Sequence, residues 1–76
     1  MKATMEVSMK SLKSRDIALV GYDTGSETLE VVFRAGGVYR YQSVPEYVYQ
    51  ELMSASSHGT YFQHYIKNTY SYAKVR

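Results

Sequence analysis

Two turn-forming segments, residues 23–27 and 35–37, divide the middle of this 76-residue chain and constrain its fold more than any other feature. They separate three segments rich in aliphatic, β-branched and aromatic residues: 15–22, 28–34 and 38–43. Gly36 and Gly37 tolerate the positive φ of a tight hairpin, so neighbouring segments are expected to pair antiparallel. The spacing predicts a three-stranded antiparallel β-meander, which needs cover on one face to bury its apolar side.

The first of two predicted helices follows the third strand and begins within residues 43–46. Pro45 suits the first turn, where its missing N–H needs no partner, and Glu46 lies near the positive end of the helix dipole. Apolar residues then recur at i, i+4 and i+7, which places them on one face of the helix: Val48, Leu52 and Ala55. This stripe predicts a helix that packs on the sheet.

A second helix is predicted over roughly residues 60–67, after residues 56–59 interrupt the first one. Its N-cap is one of three candidates: Ser57, His58 or Thr60. Phe62 and Ile66 lie four residues apart and therefore on one face of this helix. The chain is expected to be an α+β domain, an antiparallel three-stranded β-meander with two helices packed on one face.

Both termini are candidates for short extra edge strands. Near the N-terminus Met5, Val7 and Met9 alternate with polar residues, and the segment 70–75 alternates again. We interpret residues 1–13 as an N-terminal extension, either flexible or forming an edge strand. Residues 14–76 are then a single domain.

The composition excludes several classes of protein. The chain contains no cysteine, so it offers no disulfide, no thiolate zinc site and no thiol nucleophile. Its longest aliphatic run, residues 17–20, is far shorter than the roughly 18 residues that a membrane span requires, and shorter than the core of a signal peptide. We expect a cytoplasmic protein that does not enter a membrane.

Candidate catalytic and metal-ligating residues are few. His58 and His64 are six residues apart, about 120° from alignment on a continuous helix, so they are not expected to share a metal ion. Ser57 beside His58 fits helix capping better than catalysis, because neighbours in sequence rarely face each other and no acid is placed to orient the ring. The sequence therefore predicts no enzyme, no cofactor and no metal.

Nine tyrosines are the most informative part of the composition. Tyr39 and Tyr41 are two residues apart on the third strand, so they share a face while Arg40 points to the other. Two interpretations stay open for their rings. They pack beneath the helices with Leu29, Val31 and Phe33, or at least one ring lies in an accessible groove and stacks on a base.

The sheet face away from the helices is expected to carry Arg34 and Arg40, with Glu30 close by. Arginines on an open sheet face can bind phosphates, as they do in sheet-based RNA binders. Alternatively, Glu30 forms a cross-strand ion pair with Arg40 or Arg34 that contributes under about 1 kcal/mol.

The net charge of +2 is unevenly distributed. Residues 1–15 and residues 67–76 each carry a net charge of +3, whereas residues 16–66 carry −4. If the two ends meet in space they form one cationic patch suited to phosphate backbones; otherwise both ends are simply solvated. The C-terminal part contributes these candidate binding residues: Lys67, Tyr70, Tyr72, Lys74 and Arg76.

The tyrosines of the second half are too many for the core of so small a domain. They are Tyr47, Tyr49, Tyr61, Tyr65, Tyr70 and Tyr72. Some of these rings must therefore be exposed, and exposed aromatic surface marks an interface with protein or nucleic acid.

An ordered series of short motifs over about residues 14–72 resembles the KTSC domain family. The motifs are Gly21-Tyr22-Asp23, Leu29-Glu30-Val31 with Phe33, Gly37-Val38-Tyr39-Arg40-Tyr41, Val44-Pro45, Ala55-Ser56-Ser57 with Gly59, Tyr61-Phe62, Ile66-Lys67 and Tyr70. The central Tyr-x-Tyr, here Tyr39 and Tyr41, is the hallmark of that family. Its domains occur at the C-terminus of some lysyl-tRNA synthetases and as small free-standing bacterial and phage proteins.

The resemblance implies a binding domain for which RNA is the suggested ligand. We expect a non-catalytic module that binds RNA, or less readily single-stranded DNA, through Tyr39, Arg40 and Tyr41 or through the basic, tyrosine-rich tail. The alternative expectation is a protein-interaction or homodimerisation module that uses its surplus tyrosines and an exposed strand edge.

Overall fold

The computed structural model describes residues 8–76, which form one five-stranded antiparallel sheet and two helices. The strands are β1 (Lys10–Ser11), β2 (Ile17–Asp23), β3 (Thr28–Phe33), β4 (Val38–Tyr41) and β5 (Tyr72–Lys74). The helices, α1 (Glu46–Ser54) and α2 (His58–Tyr65), lie between β4 and β5 in the chain. Strand order in the sheet follows chain order, so β2, β3 and β4 are the predicted meander and each terminal region adds an edge strand.

The register of the strands places one set of side chains on the helix-covered face. Val31 pairs with Val20 and Tyr39, and Leu29 pairs with Tyr22 and Tyr41. Because side chains alternate along a strand, Glu30 and its partner Arg40 point to the opposite face. The predicted assignment of faces for β3 and β4 is confirmed.

Both helices pack on the same face of the sheet. Val48 and Leu52 from α1 and Phe62 and Ile66 from the region of α2 share one buried cluster with strand residues, among them Ile17, Val20, Leu29 and Val31. This cluster removes apolar surface from water and is the main source of stability in a chain without disulfides. Among residues 8–76, neither helix is long and apolar enough to cross a membrane.

The bounds of several elements differ by one or two residues from those expected, and for two elements the structure shows a local reason. The third strand stops at Tyr41 because Ser43 has a φ of 58°, which an extended strand cannot include. The second helix begins at His58, two residues early, because the Ser57 hydroxyl accepts a hydrogen bond from the Thr60 amide and caps it. Ile66 is its C-cap, so the helix also ends earlier than the pattern predicted.

The N-terminal extension joins the domain through its last residues. Lys10 and Ser11 pair with Val20 and Leu19, and Leu12 is buried in the core. Residue 9 precedes this strand, whereas Met5 and Val7 of the predicted edge strand lie outside the described residues. The two terminal strands occupy opposite edges of the sheet, four strand spacings or roughly 19 Å apart.

Candidate nucleic-acid interface

A half-open cavity of about 470 Å³ lies between the C-terminal part of α2 and the helix-covered side of the sheet. Five aromatic side chains from β3, β4, β5 and α2 line it, and we call it the aromatic cavity: Phe33, Tyr39, Tyr41, Phe62 and Tyr72. Strand register explains three of them, because Tyr72 pairs with Tyr41 on β4 and therefore projects to the same face as Tyr39 and Tyr41. The fold thus gathers rings that are distant in sequence.

The rings of the aromatic cavity hold one another in place. Phe33 meets Tyr39 edge to face with ring centroids 5.4 Å apart, and Phe62 meets Tyr41 in the same way at 5.4 Å. Tyr72 is tilted against Tyr39 at 5.5 Å and against Tyr41 at 5.3 Å. Such edge-to-face and tilted pairs are favourable and restrict ring motion, so the cavity wall is largely preorganised.

The two tyrosines of the Tyr-x-Tyr motif differ in exposure. Tyr41 is only 3% exposed and belongs to the core, whereas Tyr39 is half-buried at the cavity wall. Burial, followed by the neighbouring hydroxyls of Tyr72 and Tyr39, raises the pKa of Tyr41 to about 12. Tyr72 is 56% exposed and presents the most accessible ring of the cavity.

Charged and amide side chains surround the rings. Arg15, just before β2, and Lys67, just after α2, both line the cavity and are exposed. Asp16 contributes the one carboxylate, and Gln63 and Asn68 contribute amide groups. The cavity therefore combines ring faces with two cations and neutral hydrogen-bonding groups, which is the chemistry that binds a base next to a phosphate.

Four of the predicted site residues come together in this cavity: Tyr39, Tyr41, Lys67 and Tyr72. The strands β1 and β5, which belong to the two basic terminal segments, are on opposite sheet edges and do not meet. Arg15 and Lys67, the inner boundaries of the two basic segments, nevertheless line the same cavity.

The two predicted arginines are engaged elsewhere in the molecule. Arg40 lies on the opposite face of the sheet and donates from Nε to Glu30 Oε1 at 2.8 Å, which selects one of the two predicted ion pairs. Arg34 donates to two carbonyl oxygens, from Nε to Ser14 at 2.6 Å and from Nη2 to Leu12 at 2.8 Å. Arg34 therefore fastens the segment before β2 to the end of β3.

The remaining predicted tail residues lie outside the aromatic cavity. Tyr70 packs against the core from outside. The Lys74 side chain runs beside the β3–β4 hairpin, with Cε 3.6 Å from where a Cβ would stand on Gly37. Arg76 ends the chain, and its carbonyl accepts from the Val38 amide at 2.9 Å.

Eight lining residues were not among the predicted site residues: Arg15, Asp16, Phe33, Ala35, Gly36, Phe62, Gln63 and Asn68. Strand alternation places Phe33 and Tyr39 on the same sheet face, so the sequence could have predicted Phe33 as part of the site. Gln63 and Asn68 had none, because only the packing of α2 across the sheet brings them to the cavity.

A second cavity of about 480 Å³ adjoins the first, and we call it the polar cavity. Lys13, Ser57, Thr60 and His64 line it together with Arg15, Asp16 and Gln63, which also line the aromatic cavity. His58, also at its wall, donates from Nδ1 to the Leu52 carbonyl at 2.8 Å and so caps the end of α1. Across residues 8–76 no three His, Asp or Glu side chains are grouped closely enough to hold a metal ion.

Four tyrosines form a separate cluster on the helix side of the molecule, which we call the tyrosine surface: Tyr47, Tyr61, Tyr65 and Tyr70. Tyr61 and Tyr65 pack with ring centroids 4.6 Å apart, and the Tyr61 hydroxyl donates to Glu51 Oε1 at 2.6 Å. Burial and this hydrogen bond raise the pKa of Tyr61. Tyr47 is 65% and Tyr65 is 59% exposed, so the prediction that some tyrosines remain accessible is confirmed.

Comparison with known proteins supports the resemblance noted in the sequence. The KTSC domain matches residues 13–70. An uncharacterized protein of Stutzerimonas stutzeri is 40% identical over 57 residues, which are 75% of this chain and 80% of that protein. The lysine–tRNA ligase of Trichormus variabilis is 39% identical over 54 residues, 71% of this chain but 10% of the ligase.

A solved structure shows the same fold. The crystal structure of a KTSC domain protein from Yersinia pestis superposes with a TM-score of 0.91 at 35% sequence identity. The match covers 93% of this chain and 100% of that one. The chain belongs to the KTSC domain family.

Proposed function

We propose that this domain is a non-catalytic module that binds single-stranded RNA in the aromatic cavity. The observation that carries the proposal is the placement of an exposed ring, Tyr72, and a half-exposed ring, Tyr39, beside the cations of Arg15 and Lys67. Stacking of a base on an aromatic side chain contributes about 1–3 kcal/mol and tolerates any base. The nearby cations would attract the phosphates on either side of that base.

A single strand fits this cavity better than a duplex does. Bases in a duplex are stacked on one another, so their faces are not available to a protein ring, whereas unpaired bases can be splayed onto one. The cavity is half-open and lies between secondary-structure elements. A strand can therefore pass along its mouth while one base enters it.

RNA is favoured over other anionic polymers because a similar segment occurs inside a larger protein. A relative is found within a lysine–tRNA ligase, a protein whose name states that it acts on tRNA. The matched segment is 10% of that ligase and 71% of this chain. Single-stranded DNA is the second choice for the same cavity.

The proposal includes no reaction. Two groups near the polar cavity that have acid–base or nucleophilic potential already have structural roles. The Ser57 hydroxyl caps α2, and the His58 ring is bonded to the Leu52 carbonyl.

The experiment compares two equally exposed tyrosines. Tyr72 lines the aromatic cavity and is 56% exposed, whereas Tyr65 lies on the tyrosine surface and is 59% exposed. We expect Tyr72→Ala to weaken binding of a single-stranded RNA hexamer roughly 5- to 150-fold, the ratio for losing one stacked base. Tyr65→Ala is the matched control and is expected to bind like the unaltered chain.

Affinities are measured by fluorescence anisotropy at low salt and again at higher salt. Binding is expected to weaken as salt rises, because phosphate contacts release counterions. Equal affinities for Tyr72→Ala and Tyr65→Ala, or binding that ignores salt, would remove the aromatic cavity from the function.

A second candidate function is supported by the tyrosine surface. Tyr47 and Tyr65 are more exposed than any tyrosine of the aromatic cavity, and exposed aromatic clusters are typical of protein interfaces. We propose as the alternative a protein-interaction or homodimerisation module that uses this surface. Sedimentation at several protein concentrations tests homodimerisation. A chain that stays monomeric at every concentration and still binds RNA would contradict the homodimer.

A further inference from the structure

The aromatic cavity and the polar cavity are joined along one shared wall. Arg15, Asp16 and Gln63 line both of them, and no other residue does. Arg15 and Asp16 come from the segment before β2, and Gln63 comes from α2. We call these three residues the saddle, because a ligand longer than one cavity must cross them.

The polar cavity has the chemistry of an anion site. Lys13 and Arg15 supply cations, His64 an exposed imidazole, and Thr60 a hydroxyl. Lys13 and Arg15 form no ion pair within residues 8–76, where the Glu30–Arg40 bridge is found instead. Among the described residues, both cations therefore line the cavity without a salt-bridge partner.

The N-terminus of α2 is not expected to bind this anion. Asp16 Oδ2 lies 3.3 Å from where a Cβ would stand on Gly59, so the chain's own carboxylate already faces the positive end of the helix. A ligand anion would be repelled from that point. The groups of the lining that can attract it are instead Lys13, Arg15 and His64.

We infer that the polar cavity holds the phosphate next to the nucleotide that stacks in the aromatic cavity. The site then takes at least two consecutive nucleotides of a single strand, with the sugar–phosphate backbone crossing the saddle at Arg15. This inference rests on the proposed binding of RNA in the aromatic cavity. It adds a second contact point, a phosphodiester group, that the aromatic cavity alone does not require.

The first test compares ligands. Adenosine carries no phosphate, whereas the dinucleotide ApA carries one phosphodiester and a second base. We expect ApA to bind about tenfold more tightly than adenosine, with the gain falling as salt rises, because a charge-assisted contact is added. Shifts of tyrosine resonances in NMR titrations measure both affinities.

The second test compares two lysines. Lys13→Ala removes a cation from the polar cavity, and Lys10→Ala removes one from β1, which lines neither cavity. For an RNA hexamer, we expect Lys13→Ala to reduce the slope of log affinity against log salt by about 0.7, the value for one phosphate of a single strand. Lys10→Ala is expected to keep the original slope.

The outcomes separate this inference from the proposed function. If Tyr72→Ala weakens binding while Lys13→Ala and His64→Ala leave both affinity and salt slope unchanged, the aromatic cavity binds RNA and the polar cavity does not, which overturns the inference alone. If no probe binds the unaltered chain, both are overturned. Circular dichroism of each variant establishes that the fold is retained.

Discussion

Tyr39 and Tyr41 share a strand face, yet their surroundings differ because α2 covers only one of them. Phe62 of α2 packs on Tyr41 and on Phe33, at 5.4 Å in each case, which leaves Tyr39 beyond the end of this cover. Tyr39 is then bounded by Phe33 on one side and Tyr72 on the other. Tyr41 thus belongs to the core as well as to the cavity lining, whereas Tyr39 lines the cavity and stays partly exposed.

The raised pKa of Tyr41 predicts how stability depends on alkaline pH. In the unfolded chain this hydroxyl ionises near pH 10, and in the folded domain near pH 12. Its contribution to stability is therefore complete below pH 10 and is lost as pH rises toward 12, by up to about 1.4 kcal/mol per pH unit. Phenylalanine has no hydroxyl to ionise. We therefore expect the free energy of unfolding of Tyr41→Phe to fall less at alkaline pH than that of the unaltered chain.

Urea unfolding at pH values from 8 to above 10, followed by circular dichroism, measures this effect. The pKa values of Tyr22, Tyr61 and Tyr70 are also raised, so the free energy of unfolding of the variant still falls somewhat at alkaline pH. If the free energy of unfolding falls with pH equally steeply in Tyr41→Phe and in the unaltered chain, the Tyr41 hydroxyl ionises as readily as in water, which contradicts the prediction.

At the scale of elements, the strands follow from the sequence and their ends do not. Segments rich in aliphatic, β-branched and aromatic residues predicted β2, β3 and β4, and Gly36 and Gly37 do adopt the positive φ expected of them. The end of β4 depends on the left-handed backbone at Ser43, a residue without a strong preference for it. β1 has only two residues, and its pairing with β2 is a tertiary contact that no local pattern encodes.

The cap of α2 gives a prediction for a single element. The Ser57 hydroxyl accepts from the Thr60 amide at 3.3 Å, so Ser57→Ala leaves an amide of the first turn without this partner. We expect the free energy of unfolding to fall by about 1 kcal/mol. The adjacent exposed Ser56 does not cap the helix, so Ser56→Ala is the control, and equal urea midpoints for the two variants would contradict the role of the cap.

At the scale of the whole molecule, the sequence indicated the components of the cavity but not their assembly. Lys67, Tyr39 and Tyr72 were candidates from charge and strand alternation alone. Arg15 joined them only because the helices fold back over the sheet and bring the end of α2 beside the start of β2. Contacts between residues more than 50 positions apart depend on packing, which residue patterns do not report.

Removing residues 72–76 tests whether β5 belongs to the site rather than to the core. The KTSC match ends at residue 70, and all three residues of β5 are exposed, so we expect the shortened domain to keep its fold with a lower urea midpoint. Its affinity for an RNA hexamer is expected to fall at least as much as in Tyr72→Ala, since one wall of the aromatic cavity is gone. A shortened domain with unchanged affinity would place the RNA elsewhere.

The positions of β1 and β5 on opposite sheet edges decide where a reporter can be attached. A dye or fused protein joined after Arg76 would stand next to β5, whose Tyr72 forms part of the cavity mouth, and would compete with RNA for space. A dye attached at Lys10 would instead stand on β1, at the opposite edge of the sheet. Labels for binding measurements therefore belong on β1, and a C-terminal fusion offers a deliberate way to obstruct the entrance.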